Sequence, residues 1–375
     1  MKFAAGQENM IKEIKDLQSL LSHGPSLKNC TFQDIDFREA NIKWQDLSFD
    51  NTSFLGCQFK VEEEQKLRDK GAFIFPRPQG LPYQPFRKDL YHWAELMVGY
   101  KTGKSTDLQI YEHFSISKFN PNINEALCQR IHDHAIDDAL RDLIGFDAEG
   151  MSERKCVGFM GGHSTLRTDP FYEKTAFTAK LLCEHGYYIV SGGGPGIMEA
   201  TNLGAYFGGK SDSDLVEALQ LLQRAPHYTH EGYHEAAVEV LERFPRGSEN
   251  LAIPTWFYGH EPSNLFASHI AKYFSNSIRE DTLLAISLYG IVCAPGSAGT
   301  TQEIFMDATQ NHYGTFNYYS PMIFLGKERY EIQTSIFPLL KQLSWGRTYH
   351  DLLFLTDEPM EVLDFLQKHP PIKVS

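Results

Sequence analysis

The stretch VSGGGPGIMEATNLGA, Val190 to Ala205, joins an apolar strand to a helix through a cluster of glycines. Gly186-Tyr-Tyr-Ile-Val190 has strand character, Gly192, Gly193, Gly194 and Gly196 allow a tight turn, and a helical pattern begins at Ile197. The first free N–H groups of such a helix and its positive dipole end face whatever lies above the strand, so the junction is an anion site, and phosphate is its usual occupant. A second junction has the same form. Tyr289 to Pro295 reads as a buried strand, Gly296-Ser-Ala-Gly-Thr-Thr301 as a tight loop, and Gln302 to His312 as a helix carrying Ile304, Phe305 and Ala308 on its apolar face. Two such loops in one parallel sheet can close on one small ligand.

From Lys155 onward the pattern alternates strand, turn and helix, which predicts an α/β domain: a Rossmann-like, doubly wound parallel sheet with helices on both faces. Strands are expected at Cys156–Met160, Tyr187–Val190, Leu251–Pro254, Tyr289–Ala294, Met322–Leu325 and Leu353–Leu355, with two inserted helices at Leu215–Leu222 and Tyr233–Phe244. Gly161, Gly192 and Gly296 then fall at carboxyl ends of strands, where the ligand site of such a sheet lies.

The remainder divides into residues 1–60, an N-terminal helix and repeat segment, and 61–150, a proline-rich connector with helices, ahead of the nucleotide-binding domain at 151–375. Gln7 to Ser22 has helical spacing. Phe32, Phe37, Ile42 and Leu47 then recur every five residues, and the beat resumes at Phe54 and Phe59. Period five fits neither helix nor ordinary strand but suits a square β-solenoid whose central apolar residues point inward, and it resembles the pentapeptide-repeat family over about 30 residues. A small α and β-solenoid-like module is therefore expected at the N-terminus, leaning on other parts of the chain to cover its edges. Asn122 to Ile144 reads as an amphipathic helix. Gly99-Tyr-Lys-Thr-Gly-Lys-Ser105 looks like the end of a P-loop but is one residue short and follows a helical run at Leu90 to Met97 where the motif needs a strand.

Composition narrows the function. The chain has 375 residues and a net charge of −13, from 35 basic and 48 acidic side chains, which argues against nucleic acid as a partner while leaving room for a local phosphate pocket. Cys30, Cys57, Cys128, Cys156, Cys183 and Cys293 show no CxxC spacing and read as reduced thiols; with no signal peptide and no long apolar run, a cytoplasmic protein off the membrane is expected. No metal-ligand spacing occurs among the 15 histidines. NAD or FAD would need GxGxxG after the first strand and an acidic residue ending the second; the chain has Gly161-Gly-His-Ser-Thr165 and Ser191 instead. No cofactor is expected, and a mononucleotide suits the loops better.

Three segments carry a family resemblance. Gly158-Phe-Met-Gly-Gly-His-Ser164, Ser191-Gly-Gly-Gly-Pro-Gly-Ile-Met198 and Pro295-Gly-Ser-Ala-Gly-Thr-Thr-Gln-Glu303 look like the signatures of the Lonely Guy (LOG) family, phosphoribohydrolases often mislabelled lysine decarboxylases. The resemblance runs from about Lys155 to Pro371. It implies hydrolysis of nucleoside 5′-monophosphates to free base and ribose 5-phosphate, with a catalytic glutamate at Glu303 and an arginine at Arg279. The segment after Arg279 is one residue longer than the family pattern, which puts Glu280 in the arithmetically equivalent place. Ser297 replaces the second glycine of the family's PGG, and Gln302 stands where many relatives have a second glutamate. The relatives also imply a homo-oligomer.

The residues themselves agree with these roles. Cleaving an N-glycosidic bond builds positive charge on the ribose, and a carboxylate held beside it stabilises that transition state more than the substrate. The expected substrate and phosphate contacts are Gly161, Gly162, Ser164, Gly192, Gly193, Gly194, Gly196, Met198, Glu199, Gly296, Ser297, Gly299, Thr300 and Thr301, with Glu199 as a ribose or base contact. His163, Tyr258, His260 and Asn264 lie on loops near the same strand ends. The alternative to an enzyme is a non-catalytic nucleotide sensor using the same loops.

Overall fold

The computed structural model describes residues 8–22, 24–147 and 149–374. The chain divides into two compact units, Met1–Asp89 with Phe119–Ala139, and Leu90–Lys118 with Leu140–Ser375.

In the smaller unit, short strands β1 (Asn9–Ile11), β2 (Ser26–Lys28), β3 (Cys30–Gln33), β4 (Ser48–Asp50), β5 (Ser53–Leu55) and β6 (Phe73–Phe75) are joined by loops and by helices α1 (Ile14–Leu21) and α2 (Val61–Asp69). All pairings among them are parallel, in a β1-β3-β5-β6 sheet and a separate β2-β4 pair. In the β3–β5 and β2–β4 ladders partners stand 22 residues apart, Thr31 beside Ser53 and Ser26 beside Ser48. That shift stacks like on like: Phe32 lies on Phe54 at 4.6 Å between ring centres and Phe37 on Phe59 at 5.3 Å, with Trp44 edge-on to Phe37 at 5.2 Å. Phe32, Phe37, Phe54 and Trp44 are buried together. The expected single helix from Gln7 to Ser22 is corrected. Asn9–Ile11 is a strand paired with Cys30–Phe32, the helix covers only Ile14–Leu21, and Gln7 lies outside the described residues. Extended backbone at Glu13 separates the two, and strand pairing gives the N–H and C=O groups around buried Ile11 the partners a helix would have supplied.

Helix α5 (Ile123–Ile144) forms as expected, although Ile123 and Leu127 of its apolar stripe are exposed. In the larger unit, α3 (Trp93–Leu96) and α4 (Thr106–Ser117) precede the sheet domain. The P-loop lookalike is a 3-10 turn between left-handed Gly99 and Gly103, following α3, and Ser105 caps α4 by accepting from the Leu108 N–H at 3.1 Å.

The sheet domain runs β7 (Cys156–Met160), α6 (Pro170–Glu184), β8 (Tyr188–Ser191), α7 (Ile197–Tyr206), α8 (Asp212–Leu222), α9 (Tyr233–Arg243), β9 (Leu251–Ala252), β10 (His269–Ile270), α10 (Asn276–Ile286), β11 (Ile291–Cys293), α11 (Ala298–Tyr313), β12 (Tyr318–Tyr319), β13 (Met322–Leu325), α12 (Ile336–Leu343), β14 (Leu353–Thr356), α13 (Pro359–Lys368) and β15 (Ile372–Lys373). Seven strands form one parallel sheet in the order β10-β9-β8-β7-β11-β13-β14. The direction of winding reverses between β7 and β11, so the crevice above their carboxyl ends is the topological switch point. Strand residues alternate between faces: Val157 and Phe159 pack with Ala179 of α6 and Val362 of α13, whereas Gly158 faces Ser287 at the end of α10. Helices thus cover both faces. Strand β10 has only two paired residues and no glycine at its end, so no local pattern marks it.

Candidate active site

Four segments at strand ends meet above the switch point: residues 161–163 after β7, 192–196 after β8, 254–261 between β9 and β10, and 296–300, which run from the end of β11 into the start of α11. They enclose a cavity of about 530 Å³.

The glycine loop after β8 is rigid. Gly196 has φ 68°, and a Cβ there would stand 2.3 Å from the carbonyl oxygen of Gly162, so a side chain is barred by backbone as well as by torsion. Beneath the loop, Ser191 Oγ donates to Asn202 Oδ1 at 2.6 Å and accepts from the Gly193 N–H at 2.9 Å. Asn264 Nδ2 donates to the same Asn202 oxygen at 2.8 Å, while Asn202 Nδ2 donates to Asn250 Oδ1 at 2.8 Å. These side chains are buried and mutually satisfied, which holds the loop in one conformation.

The second loop ends in α11, whose N-cap position, Ser297, makes no side-chain cap bond. The first N–H groups of a 16-residue helix are therefore offered to the cavity. From behind, Arg329 Nη2 donates to the Gly296 carbonyl at 2.6 Å and Tyr330 Oη to the Ala294 carbonyl at 2.7 Å, fixing the approach to the helix.

Glu303, in the first turns of α11, meets Arg279 of α10 across the cavity, with Nη1 3.3 Å from Oε1. Arg279 is itself positioned by donating from Nε to the Ile253 carbonyl at 2.7 Å. Gly192 is required beside it, since a Cβ there would lie 2.4 Å from Nη2. The two side chains are 8% and 12% exposed, enough to touch a ligand while being largely desolvated. Burial pushes the Glu303 carboxyl above its ordinary value; Arg279 pulls it down and Glu280 pushes it further up. Glu280 is buried and does not take the arginine's place. Its carboxylate accepts from Gln302 Nε2 at 2.7 Å, Asn276 Nδ2 at 2.8 Å and Tyr258 Oη at 3.3 Å. A glutamate at position 302 would set two carboxylates against each other there, which accounts physically for glutamine.

Of the residues expected from sequence, Gly161, Gly162, Gly192, Gly193, Gly194, Met198, Ser297, Gly299, Thr300, Arg279 and Glu303 line the cavity, together with His163 and Tyr258. Ser164 is exposed outside the lining, Gly196 and Gly296 belong to the loops without lining the cavity, and Thr301 turns its hydroxyl to the Ser297 carbonyl at 3.0 Å. His260 stands 3.7 Å from Asp107, and Asn264 supports the glycine loop from below. Glu199 needs a correction. Its carboxylate is 1% exposed and faces the core, where Arg167 donates to it from Nη2 at 2.6 Å and Nε at 2.8 Å, and Tyr172 Oη donates at 2.7 Å. Helix periodicity turns Glu199 away from the loop that precedes it, and the contact with ribose or base is replaced by a buried ion pair. Burial alone would raise this carboxyl; Arg167, with Tyr172 and Tyr233, overrides it and holds the carboxyl below its ordinary value.

Sequence reading missed Arg167, Arg329 and Glu261. Glu261 lines the cavity, Arg167 and Arg329 work behind it, and none stands in a recognisable motif. It also missed Asp307, one turn beyond Glu303, which is 2% exposed and which burial pushes up to about 8. Its folded value lies above its unfolded one, so its contribution favours folding fully below the ordinary range near 3.8 and is lost as pH rises through about 8. Asp307→Asn is expected to gain stability over the parent as pH rises from 5 to 9, read by urea melts at each pH; parallel pH profiles for the two proteins would contradict it. No group of metal-binding side chains occurs among the described residues, and no helix there is long and apolar enough to cross a membrane.

No family profile and no curated protein matches the chain. Among solved structures, it is similar to the molybdenum cofactor binding protein from the phototrophic bacterium Rippkaea orientalis, with 13% identity and a TM-score of 0.36 over 58% of this chain and 97% of that one. It is also similar to the Moco carrier protein from Chlamydomonas reinhardtii, with 15% identity and a TM-score of 0.35 over 58% of this chain and all of that one, and to a second structure of that protein at 14% identity.

Proposed function

We propose that the chain hydrolyses the N-glycosidic bond of nucleoside 5′-monophosphates, giving free base and ribose 5-phosphate. The observation that carries this reading is the Glu303–Arg279 pair, largely desolvated in a cavity that also receives the open start of α11. The 5′-phosphate sits against the N–H groups at Ser297–Thr300, where Gly299 leaves open space with no neighbouring atom within 4 Å of its Cβ position. The ribose then lies over Glu303. As the bond to the base lengthens, positive charge grows on the ring, and the ionised carboxylate stabilises it most when the charge is greatest. Arg279 orients that carboxylate. A sensor that only binds nucleotide has no use for a desolvated carboxylate at that position, and this favours the enzyme over the sensor. Incubation with a panel of nucleoside 5′-monophosphates, followed by chromatography, is expected to yield free base; unchanged nucleotide throughout the panel would contradict the reading.

The same reading places an anion in the mouth between Gly194 and Thr300, on the side of Thr300 and the first N–H groups of α11. A crystal soaked in phosphate is expected to hold the ion at the start of α11, and an empty loop at saturating phosphate would remove the assigned phosphate position. The small unit we read as a short pentapeptide-type coil, supported by its parallel ladders and the Phe32–Phe54 and Phe37–Phe59 stacks. We take the protein to be a cytoplasmic homo-oligomer that acts on a free nucleotide.

A further inference from the structure

We propose that Tyr258 and Glu261 recognise the nucleobase, and that the base they select carries two adjacent N–H donors on one edge, as a 2-amino-6-oxopurine does. The inference rests on the cavity's being a nucleoside monophosphate site and adds the part of the substrate that the glycine loops leave unread.

Strand order separates the two ends of the cavity. The loop at 254–261 follows β9 and the phosphate loop follows β11, with β8 and β7 between them, so three strand spacings, about 14 Å, lie between the loops. Arg279, bonded to the Ile253 carbonyl, and Glu303, reaching in from α11, occupy the middle. A nucleotide with its phosphate on α11 and its ribose over Glu303 therefore extends its base toward Tyr258 and Glu261.

Both residues are suited to that end. Tyr258 is 62% exposed, lines the cavity, and has its hydroxyl tied down: Asn276 Nδ2 donates to it at 2.9 Å and it donates to Glu280 at 3.3 Å. The ring is held by its edge while a face stays open, the arrangement a stacking platform needs. Glu261 also lines the cavity, with Oε2 3.1 Å from the Cβ position of Gly194, and its carboxylate takes no hydrogen bond or ion pair among the described residues. An acceptor-only group left unmatched in a site is matched by donors on the ligand. Phosphate is repelled by it, whereas a pair of neighbouring N–H groups fits its two oxygens.

The loop that carries both residues is anchored on each side. Trp256 Nε1 donates to Asp107 Oδ1 at 2.8 Å, and Lys272, paired with the same carboxylate at 2.8 Å, donates to Ser263 Oγ at 3.1 Å. These groups are nearly fully buried, so residues 257–262 span two fixed points. Such preorganisation is what a specificity determinant requires.

The test compares GMP with IMP, which differ only by the 2-amino group. In the Glu303→Gln protein, calorimetry is expected to show GMP binding about tenfold or more tighter than IMP. Adding Glu261→Gln is expected to bring that ratio close to one, and adding Tyr258→Leu to weaken both nucleotides together while preserving the ratio. Equal affinities before any change at Glu261, a ratio that survives Glu261→Gln, or failure of both nucleotides to bind would overturn the inference. Selective binding of GMP by a wild-type protein that releases no base would sink the hydrolase reading and leave the base-recognition site standing; release of base from GMP and IMP with equal kcat/KM would do the reverse.

Discussion

Glu303→Gln is expected to lower turnover at least about a hundredfold while nucleotide affinity changes by no more than a few-fold, because the charge acts mainly in the transition state. Glutamine preserves the shape of the side chain and leaves Arg279 its bond to the Ile253 carbonyl. In the proposed reaction the ionised carboxylate is the working form. Burial places its folded pKa above the ordinary value near 4.5, so the wild-type rate is expected to rise with pH through that raised value and the variant's residual rate to lack this limb. Stability has the opposite sign: a raised folded value favours folding below the unfolded pKa and loses that contribution as pH rises, so the variant is expected to be no less stable at neutral pH. Steady-state kinetics with a parallel binding titration decide the matter. Equal losses of affinity and rate would mean that Glu303 holds the ground state and has no special part in the chemistry.

Glu199→Ala has the largest effect on stability. It strands Arg167, a guanidinium that is 1% exposed and otherwise bonded to the Ala225 carbonyl at 3.2 Å and the Tyr233 carbonyl at 3.1 Å, with the Tyr233 ring 3.5 Å from its centre. Removing one partner of a buried pair typically costs about 3–5 kcal/mol, because the remaining charge cannot regain its solvation. Denaturant melts at neutral pH should show a loss of that order. A loss below about 1 kcal/mol would mean that water reaches Arg167 once the carboxylate is gone. Nucleotide contacts are not at stake in this variant, since the Glu199 carboxylate points into the core.

These two glutamates show what sequence could and could not reveal. Each follows a glycine loop near the start of a helix, so local pattern assigns them the same role. The difference is helical phase against distant partners: Glu303 faces Arg279, and Glu199 faces Arg167, Tyr172 and Tyr233. The parallel sheet was readable because its strands are short apolar runs ending in glycine, as at Met160–Gly161 and Ser191–Gly192. Strand β10 has only two paired residues and no such signature. The five-residue beat from Phe32 to Phe59 falls on residues that pack together, whereas the first strand was hidden because Ile11 falls in helical phase with Ile14 and Leu17. Glu261 sits in a loop whose backbone course depends on anchors such as Asp107 and Lys272, far away in sequence, and Arg329 stands in the short helix Glu328–Gln333, 33 residues from the Gly296 carbonyl it holds.

We propose above that the cavity at the β7–β11 switch point breaks the bond between base and sugar. Following GMP with wild-type protein by phosphorus and proton nuclear magnetic resonance tests it most directly. The phosphorus signal is expected to move from the nucleotide to ribose 5-phosphate while free guanine appears in equal amount, with no orthophosphate. Guanosine with orthophosphate, or GMP left intact by protein shown to bind it, would contradict it.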